Sequence, residues 1–213
     1  MPICNEICLQ DEVRIGIWHI TESSEELHAA VSLNSQEEGQ YGTYKNENRK
    51  RQWLAYRAIV RHFIDKSLPA NLCYDENGKP WLVEGPGFIS VTHAGSYAAA
   101  VLSEKRAVGI DIEQLKERIL RVKERFLCNR ELDHIGSVNH LEKLYVLWGA
   151  KEALYKLNGK PNLDFKNEIY IHPFDYLCNM PGTCSATLTV DGCSNSFSVF
   201  YQQFGDYMLT VAY

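Results

Sequence analysis

The 213-residue sequence predicts an α+β fold. Residues 13–20 and 108–113 alternate with the period of two expected of strands. Residues 48–65 and 141–157 are proline-free and carry apolar side chains at helical spacing. Beyond Gly159-Lys160-Pro161 the chain turns β-like, at 168–172, 185–190, 197–201 and 207–212. Asp191-Gly192 and Gly205-Asp206 separate the last three segments, which predicts an antiparallel meander.

Composition narrows the classes of function. Hydrophobic residues make up 45% and charged residues 23%, enough for a core and ordinary for a soluble protein. A net charge of −5 without a long basic run argues against nucleic-acid binding. Seven cysteines, an odd number with no C-x-x-C, read as reduced thiols of a cytoplasmic protein. Met1-Pro2-Ile3-Cys4-Asn5-Glu6 has no basic region and no apolar run, so no signal peptide is expected. No stretch is apolar enough to span a bilayer, so no membrane partner is expected.

The first half reads in order as follows. Residues 13–20 form a strand, and Thr21 or Ser23 caps a helix with acids in its first turn. Residues 35–44 are polar and predict a loop. The helix over 48–65 places Trp53, Leu54, Ala58, Ile59, Val60 and Phe63 inside, with Arg49, Lys50, Arg51, Arg57 and Arg61 outside or at its edges. Pro69 stops the segment. Asn77-Gly78 is a turn signal between short strands, and Gly85-Pro86-Gly87 is a further break. Residues 88–95 run as a strand into a tight turn, and 97–102 are a short apolar strand.

The chemistry concentrates in two stretches. In Val108-Gly109-Ile110-Asp111-Ile112-Glu113 one face is apolar and the other carries two carboxylates two residues apart. Like charges that close raise each other's pKa unless a cation intervenes, and hard oxygen ligands suit Mg²⁺ or Mn²⁺ rather than zinc. The same spacing also fits a solvated strand face with two incidental acids. In the helix over 141–157, Trp148, Glu152 and Tyr155 share one side, and Lys151–Tyr155 and Glu152–Lys156 are i, i+4 pairs. This pattern fits either a surface Glu–Lys pair or a metal ligand with cations for phosphate beside it.

Together these stretches resemble the signature pair of the 4'-phosphopantetheinyl transferases: Val108 through Glu113, then Trp148-x-x-Lys151-Glu152-Ala153-x-x-Lys156. The likeness is to the longer, monomeric surfactin-synthetase-activator type rather than to the short trimeric holo-acyl-carrier-protein synthases. It implies two similar α+β halves, residues 1–105 and 106–213, forming an intramolecular pseudo-dimer with the site between them. A weak internal repeat agrees: residues 53–61 align without gaps onto 148–156, with Trp, Ala and Ala coinciding.

The resemblance also implies a function and a site. The enzyme would move the 4'-phosphopantetheine of coenzyme A onto a serine of an apo-carrier protein of fatty acid, polyketide or peptide synthesis, releasing 3',5'-ADP. Asp111, Glu113 and Glu152 would hold Mg²⁺ or Mn²⁺. Glu152, directly or through a water, would act as general base, and Lys156 would stabilise the pyrophosphate and protonate the leaving group. Lys79, Thr92 and His93, in Gly78-Lys79-Pro80 and Ser90-Val91-Thr92-His93-Ala94-Gly95, would contact coenzyme A phosphates. Arg51 matches an arginine near the 3'-phosphate, and Lys151 and Lys156 fit the lysines of the helix motif. A helix over 115–127, basic through Lys116, Arg118, Arg121 and Arg125, would dock an acidic carrier.

One departure stands out. Family members carry lysines for the 3'-phosphate ahead of Arg51, whereas residues 35–40 here have no basic side chain. Lys45, Arg49 and Lys50 are the possible substitutes. Two other readings compete, a Mg²⁺-dependent phosphohydrolase using the same acids and a non-catalytic module binding carrier or coenzyme A.

Overall fold

The fold is taken from a computed structural model, which describes residues 5–10, 13–64, 71–83 and 87–213. Cys4, Asp65, Pro69 and Gly85-Pro86 lie outside the described residues. The chain divides into two compact units, Met1–Ala107 and Val108–Tyr213, and both mix helix and sheet.

The N-terminal unit contains, in order, β1 (Asn5–Leu9), β2 (Val13–His19), α1 (Ser24–Ala30), α2 (Ser35–Thr43), α3 (Glu47–Phe63), β3 (Leu72–Tyr74), β4 (Pro80–Leu82), β5 (Phe88–Ala94) and β6 (Tyr97–Ser103). Its main sheet runs β1-β2-β6-β5, antiparallel throughout, and β3 and β4 form a separate hairpin. Ser23 caps α1 in a capping box with Glu26. The helix α3 packs on β2 and β6 and buries Trp53, Leu54, Ile59 and Val60. Each large aliphatic side chain so buried contributes about 1.5–3 kcal/mol.

Two expectations fail here for one reason. Residues 35–43 are helical rather than a loop, and Arg57 lies inside rather than at the helix edge, 2% exposed. Glu37 joins the two facts. It completes a capping box with Asn34, and its buried carboxylate accepts from Arg57 Nε at 3.0 Å and from Arg61 Nη2 at 3.4 Å. The Arg57 guanidinium lies 3.3 Å from the Trp53 ring centroid. A charge this deep is tolerated because it is paired and stacked.

The C-terminal unit contains β7 (Gly109–Gln114), α4 (Asn129–Ile135), α5 (His140–Asn158), β8 (Ile169–Ile171), β9 (Gly182–Val190), β10 (Cys193–Phe204) and β11 (Tyr207–Ala212). Its antiparallel sheet runs β7-β11-β10-β9-β8, so β9, β10 and β11 form the predicted meander and β8 extends it. Asp191 and Gly192, with φ of 52° and 77°, make the two-residue turn between β9 and β10.

The expected helix over 115–127 is instead two short 3₁₀ segments, Glu117–Arg121 and Lys123–Arg125. Neither has a side-chain N-cap, and both the N–H and the carbonyl of Lys116 are held by the Tyr145 hydroxyl, at 2.9 and 3.1 Å. Ile119, Phe126 and Leu127 reach the core from this tighter path.

The two units share a plan. In each, the strand preceding the helices pairs with the last strand of the unit, which pairs with the strand before it: β2-β6-β5 and β7-β11-β10. In each, one long helix covers that seam and a glycine of the first strand lies beneath it. A Cβ on Gly16 would collide with Ile59. A Cβ on Gly109 would collide with the Ala153 carbonyl oxygen and lie 2.8 Å from Leu157 N. Gly149 of α5 is closed the same way by Thr210 of β11, whose Cγ2 would lie 3.0 Å off.

A buried ion pair ties α5 to its neighbours. The Lys151 ammonium, 0% exposed, donates to Glu131 Oε2 at 2.9 Å and to the carbonyls of Phe165 and Ile169, each at 2.7 Å. Glu131 also accepts from the backbone N–H of Cys128 and of Ile171, both at 2.9 Å. Burial lowers the Lys151 pKa, and Glu131 opposes that shift.

Gly109→Ala is expected to cost about 3 kcal/mol or more in urea unfolding, because backbone rather than a flexible side chain meets the new methyl. Gly39→Ala, at a helical position with nothing within 4 Å, is expected to stabilise by about 0.5–1 kcal/mol. Lys151→Ala strands a buried carboxylate and should cost about 3–5 kcal/mol. Adding Glu131→Gln should recover part of that loss, read as a positive coupling in a double-mutant cycle.

Candidate active site

The site of the C-terminal unit grows from the contact between β7 and α5. Alternate residues of a strand face the same way, so Gly109, Asp111 and Glu113 share one face. Gly109 lies under Ala153 and Leu157. Asp111 lies one step on, and its Oδ1 accepts from Lys156 Nζ at 2.8 Å. Glu113, one step further, accepts a hydrogen bond from the Trp148 side chain. Each second residue of the strand therefore meets an earlier turn of the helix. Lys156 Nζ also donates to the Ile110 carbonyl at 2.9 Å, which fixes the ammonium beside the strand.

Glu152 lies one turn before Lys156 on α5. Burial pushes its carboxyl up to about 7, and Asp111 and Glu113 add to the shift against Lys156. Glu113 is raised too, first by burial and then by Asp111, while Trp148, Arg118 and Lys156 pull it down. The burial has a visible source. Trp148 packs edge-on against Phe126 with centroids 4.9 Å apart, and Phe165 contacts both Trp148 and Tyr155, each at 5.8 Å. Glu152 lies on the helix between Trp148 and Tyr155.

Three mutually coupled carboxylates make an oxygen-only donor set that suits a hard divalent cation. Among the described residues no three His, Cys, Asp or Glu side chains are already drawn together at metal-ligand spacing. The chemistry of the donor set fits such an ion, and Asp111, Glu113 and Glu152 are the residues that would close on it.

A pocket of about 260 Å³ opens beside Glu113, lined by Glu113, Arg118, Ile119, Val122, Tyr145 and Trp148. Its outer wall is the 3₁₀ region, where Lys116, Arg118, Arg121 and Arg125 are all exposed. Leu120 is exposed among them. The basic and apolar character expected of this stretch is thus presented at the surface, although not by a regular helix.

The remaining site residues divide sharply. Lys151 was expected to meet the cofactor, but its ammonium is buried and its three protons serve Glu131 and two carbonyls. It is a core residue. In the N-terminal unit Thr92 and His93 lie on β5, Thr92 buried and His93 half-buried. Lys79 is half-buried before β4, and burial lowers its pKa against Asp75. Arg51 donates to Asn48 Oδ1 at 3.2 Å and so turns toward its own helix. The residue set against His93 is Arg49, whose Nη1 touches His93 Nε2.

Sequence reasoning missed Glu131, which lies in a stretch it left unassigned, and it could not choose Arg49 among its neighbours. Cys128-x-x-Glu131, a capping box opening α4, was the available signal for Glu131.

The family model bears on the same half of the chain. Residues 107–212 match the family model described as the 4'-phosphopantetheinyl transferase superfamily. The chain is 33% identical over 120 residues to the 4'-phosphopantetheinyl transferase AcpT of Escherichia coli O157:H7, covering 52% of this chain and 59% of that protein. It is 30% identical over 142 residues to a putative 4'-phosphopantetheinyl transferase of Synechocystis, covering 60% and 57%. It is 29% identical over 112 residues to the 4'-phosphopantetheinyl transferase Sfp of Bacillus subtilis, covering 50% and 49%. The chain thus spans about half to three-fifths of these relatives' own lengths. Since the matched half is the one that sets Asp111 and Glu113 of the strand against Glu152 and Lys156 of the helix, the chain belongs to the 4'-phosphopantetheinyl transferase superfamily.

Proposed function

We propose that this protein transfers the 4'-phosphopantetheine group of coenzyme A to a serine of an apo-carrier protein, in a Mg²⁺-dependent reaction that releases 3',5'-ADP. The observation that carries the reading is the coupled set Asp111, Glu113 and Glu152 with Lys156 hydrogen-bonded to Asp111 at 2.8 Å. The proposal takes the protein as a cytoplasmic monomer whose two like halves pair within the chain as a pseudo-dimer. Among the described residues no helix is long and apolar enough to cross a membrane.

The serine hydroxyl attacks the phosphorus that bears pantetheine, and the bond from that phosphorus to the bridging oxygen breaks. A divalent cation supplies Lewis-acid stabilisation of the phosphoryl oxygens when bound. Asp111, Glu113 and Glu152 would hold it. Glu152, with its pKa at about 7, is matched to taking the serine proton near neutral pH. Lys156, oriented by Ile110 and Asp111, offers its ammonium to the pyrophosphate and can give a proton to the departing 3',5'-ADP. Arg51, Lys79, Thr92 and His93 would bind the rest of coenzyme A. Lys116, Arg118, Arg121 and Arg125 would receive an acidic carrier, and all four are exposed.

Incubation with Mg²⁺, fluorescent coenzyme A and a panel of apo-carriers should put label on at least one carrier. Glu152→Gln should slow that transfer by ~10²-fold or more. Asp111→Asn should weaken Mg²⁺ binding measured by calorimetry, independently of turnover. Phosphate release without label on any carrier would favour a phosphohydrolase and overturn the reading. Binding of carrier without turnover would favour a non-catalytic module. Charge reversal at Arg118 and Arg121 together should raise the KM for an acidic carrier by ~10-fold at low salt, and the effect should shrink as ionic strength rises.

A further inference from the structure

The strand beside β7 carries a buried polar group that the site has not yet used. Strand pairing sets Gly109, Asp111 and Glu113 of β7 opposite Ala212, Thr210 and Met208 of β11. Cross-strand neighbours share a face of the sheet, with Cβ atoms about 4.5–5.5 Å apart. Of these three β11 side chains only Thr210 can donate a hydrogen bond. Thr210 is 0% exposed, and its hydroxyl has no hydrogen-bond partner among the described residues. A Cβ on Gly149 would meet both Oγ1 and Cγ2 of Thr210, so the side chain points at α5. Gly149 lies three residues before Glu152, on the same side of that helix.

The other neighbours of this hydroxyl do not call on it. On its far flank Thr210 pairs with Tyr201 of β10, whose hydroxyl donates to the Asp175 carbonyl at 3.2 Å. Above it Gly149 has no side chain. A buried hydroxyl without a partner costs stability, so the fold alone gives no reason for one here. Asp111, directly opposite, supplies a reason. Its Oδ1 accepts from Lys156 Nζ at 2.8 Å. In the transferase reading that ammonium is offered to a pyrophosphate, and the Asp111 carboxylate serves as a ligand. Asp111 then needs another donor to hold it, as ligating carboxylates commonly have.

We propose that Thr210 is a positioning residue of the divalent-ion site: its hydroxyl donates to the Asp111 carboxylate when that carboxylate acts as a ligand, and so sets the affinity for the ion. The proposal rests on the reading of Asp111, Glu113 and Glu152 as the ion's ligands. Thr210 touches neither ion nor substrate and acts through Asp111 alone. Its hydrogen bond takes over from that of Lys156 and leaves the ammonium to phosphate oxygens.

Three whole-chain proteins separate this role from packing: wild type, Thr210→Val and Thr210→Ser. Mg²⁺ binding is measured by calorimetry, and the melting temperature is measured in EDTA. Thr210→Val should melt at or above wild type, because it removes a hydroxyl that nothing pairs, yet bind Mg²⁺ ~10-fold more weakly. Thr210→Ser should do the reverse, with a lower melting temperature from the missing methyl and Mg²⁺ affinity close to wild type. A purely packing role would move both readouts together. Thr210→Val binding Mg²⁺ as wild type does would overturn the proposal, as would Thr210→Ser losing as much affinity as Thr210→Val. A Thr210→Val protein melting well below wild type would also overturn it, since the hydroxyl would then already serve the fold. Wild type that binds no Mg²⁺ removes the ion site itself and this proposal with it. Wild type that binds Mg²⁺ and labels a carrier, while Thr210→Val does both equally, removes only the role of Thr210.

Discussion

The active half depends on how closely α5 lies against β7. At Gly109 no side chain separates strand from helix, and the Ala153 carbonyl fills the place a Cβ would take. Gly149 allows the same approach to Thr210 on the neighbouring strand. Only at that distance can Lys156 reach both the Ile110 carbonyl and Asp111, and only then do carboxylates from strand and helix feel one another. A helix held a methyl group further away would stretch the Lys156 bonds to Ile110 and Asp111. The glycines therefore belong to the chemistry as much as to the packing.

The N-terminal half shows what the same plan gives when the side chains differ. Gly16 again lies under the long helix, and Trp53 again stands where Trp148 stands. At the position of Glu152, however, the first half carries Arg57, whose charge is spent on buried Glu37 and the Trp53 ring. One copy of the motif uses its polar position to hold a helix in place. The other leaves an acid raised to about 7 among aromatic side chains, costly for stability and useful for moving a proton.

What could be read from the sequence was what repeats or alternates. The strand of Asp111 and Glu113, the helix of Glu152 and Lys156, and the closing meander all announce themselves by period. The failures share another feature: each turns on a partner distant in sequence. Residues 35–43 are helical in part because Glu37 meets Arg57, 20 residues on. Lys151 is in the core because Glu131, Phe165 and Ile169 surround its ammonium. The 3₁₀ path at 117–121 starts from Lys116, whose backbone is held by Tyr145, a residue distant in sequence. A motif lysine and a buried structural lysine look alike until their neighbours are known.

Charge balance makes the site suited to a divalent ion. Asp111 meets the Lys156 ammonium at 2.8 Å, and Glu113 feels both Arg118 and Lys156. Three acids thus outnumber the cations that face them. Burial first, and then the neighbouring acids, raise Glu152 to about 7 and raise Glu113 as well. A second lysine would bring an ammonium that binds oxygens only as a point charge. A small divalent ion would offset the acids and keep coordination positions for phosphate oxygens. Such an ion would let the three acids ionise together.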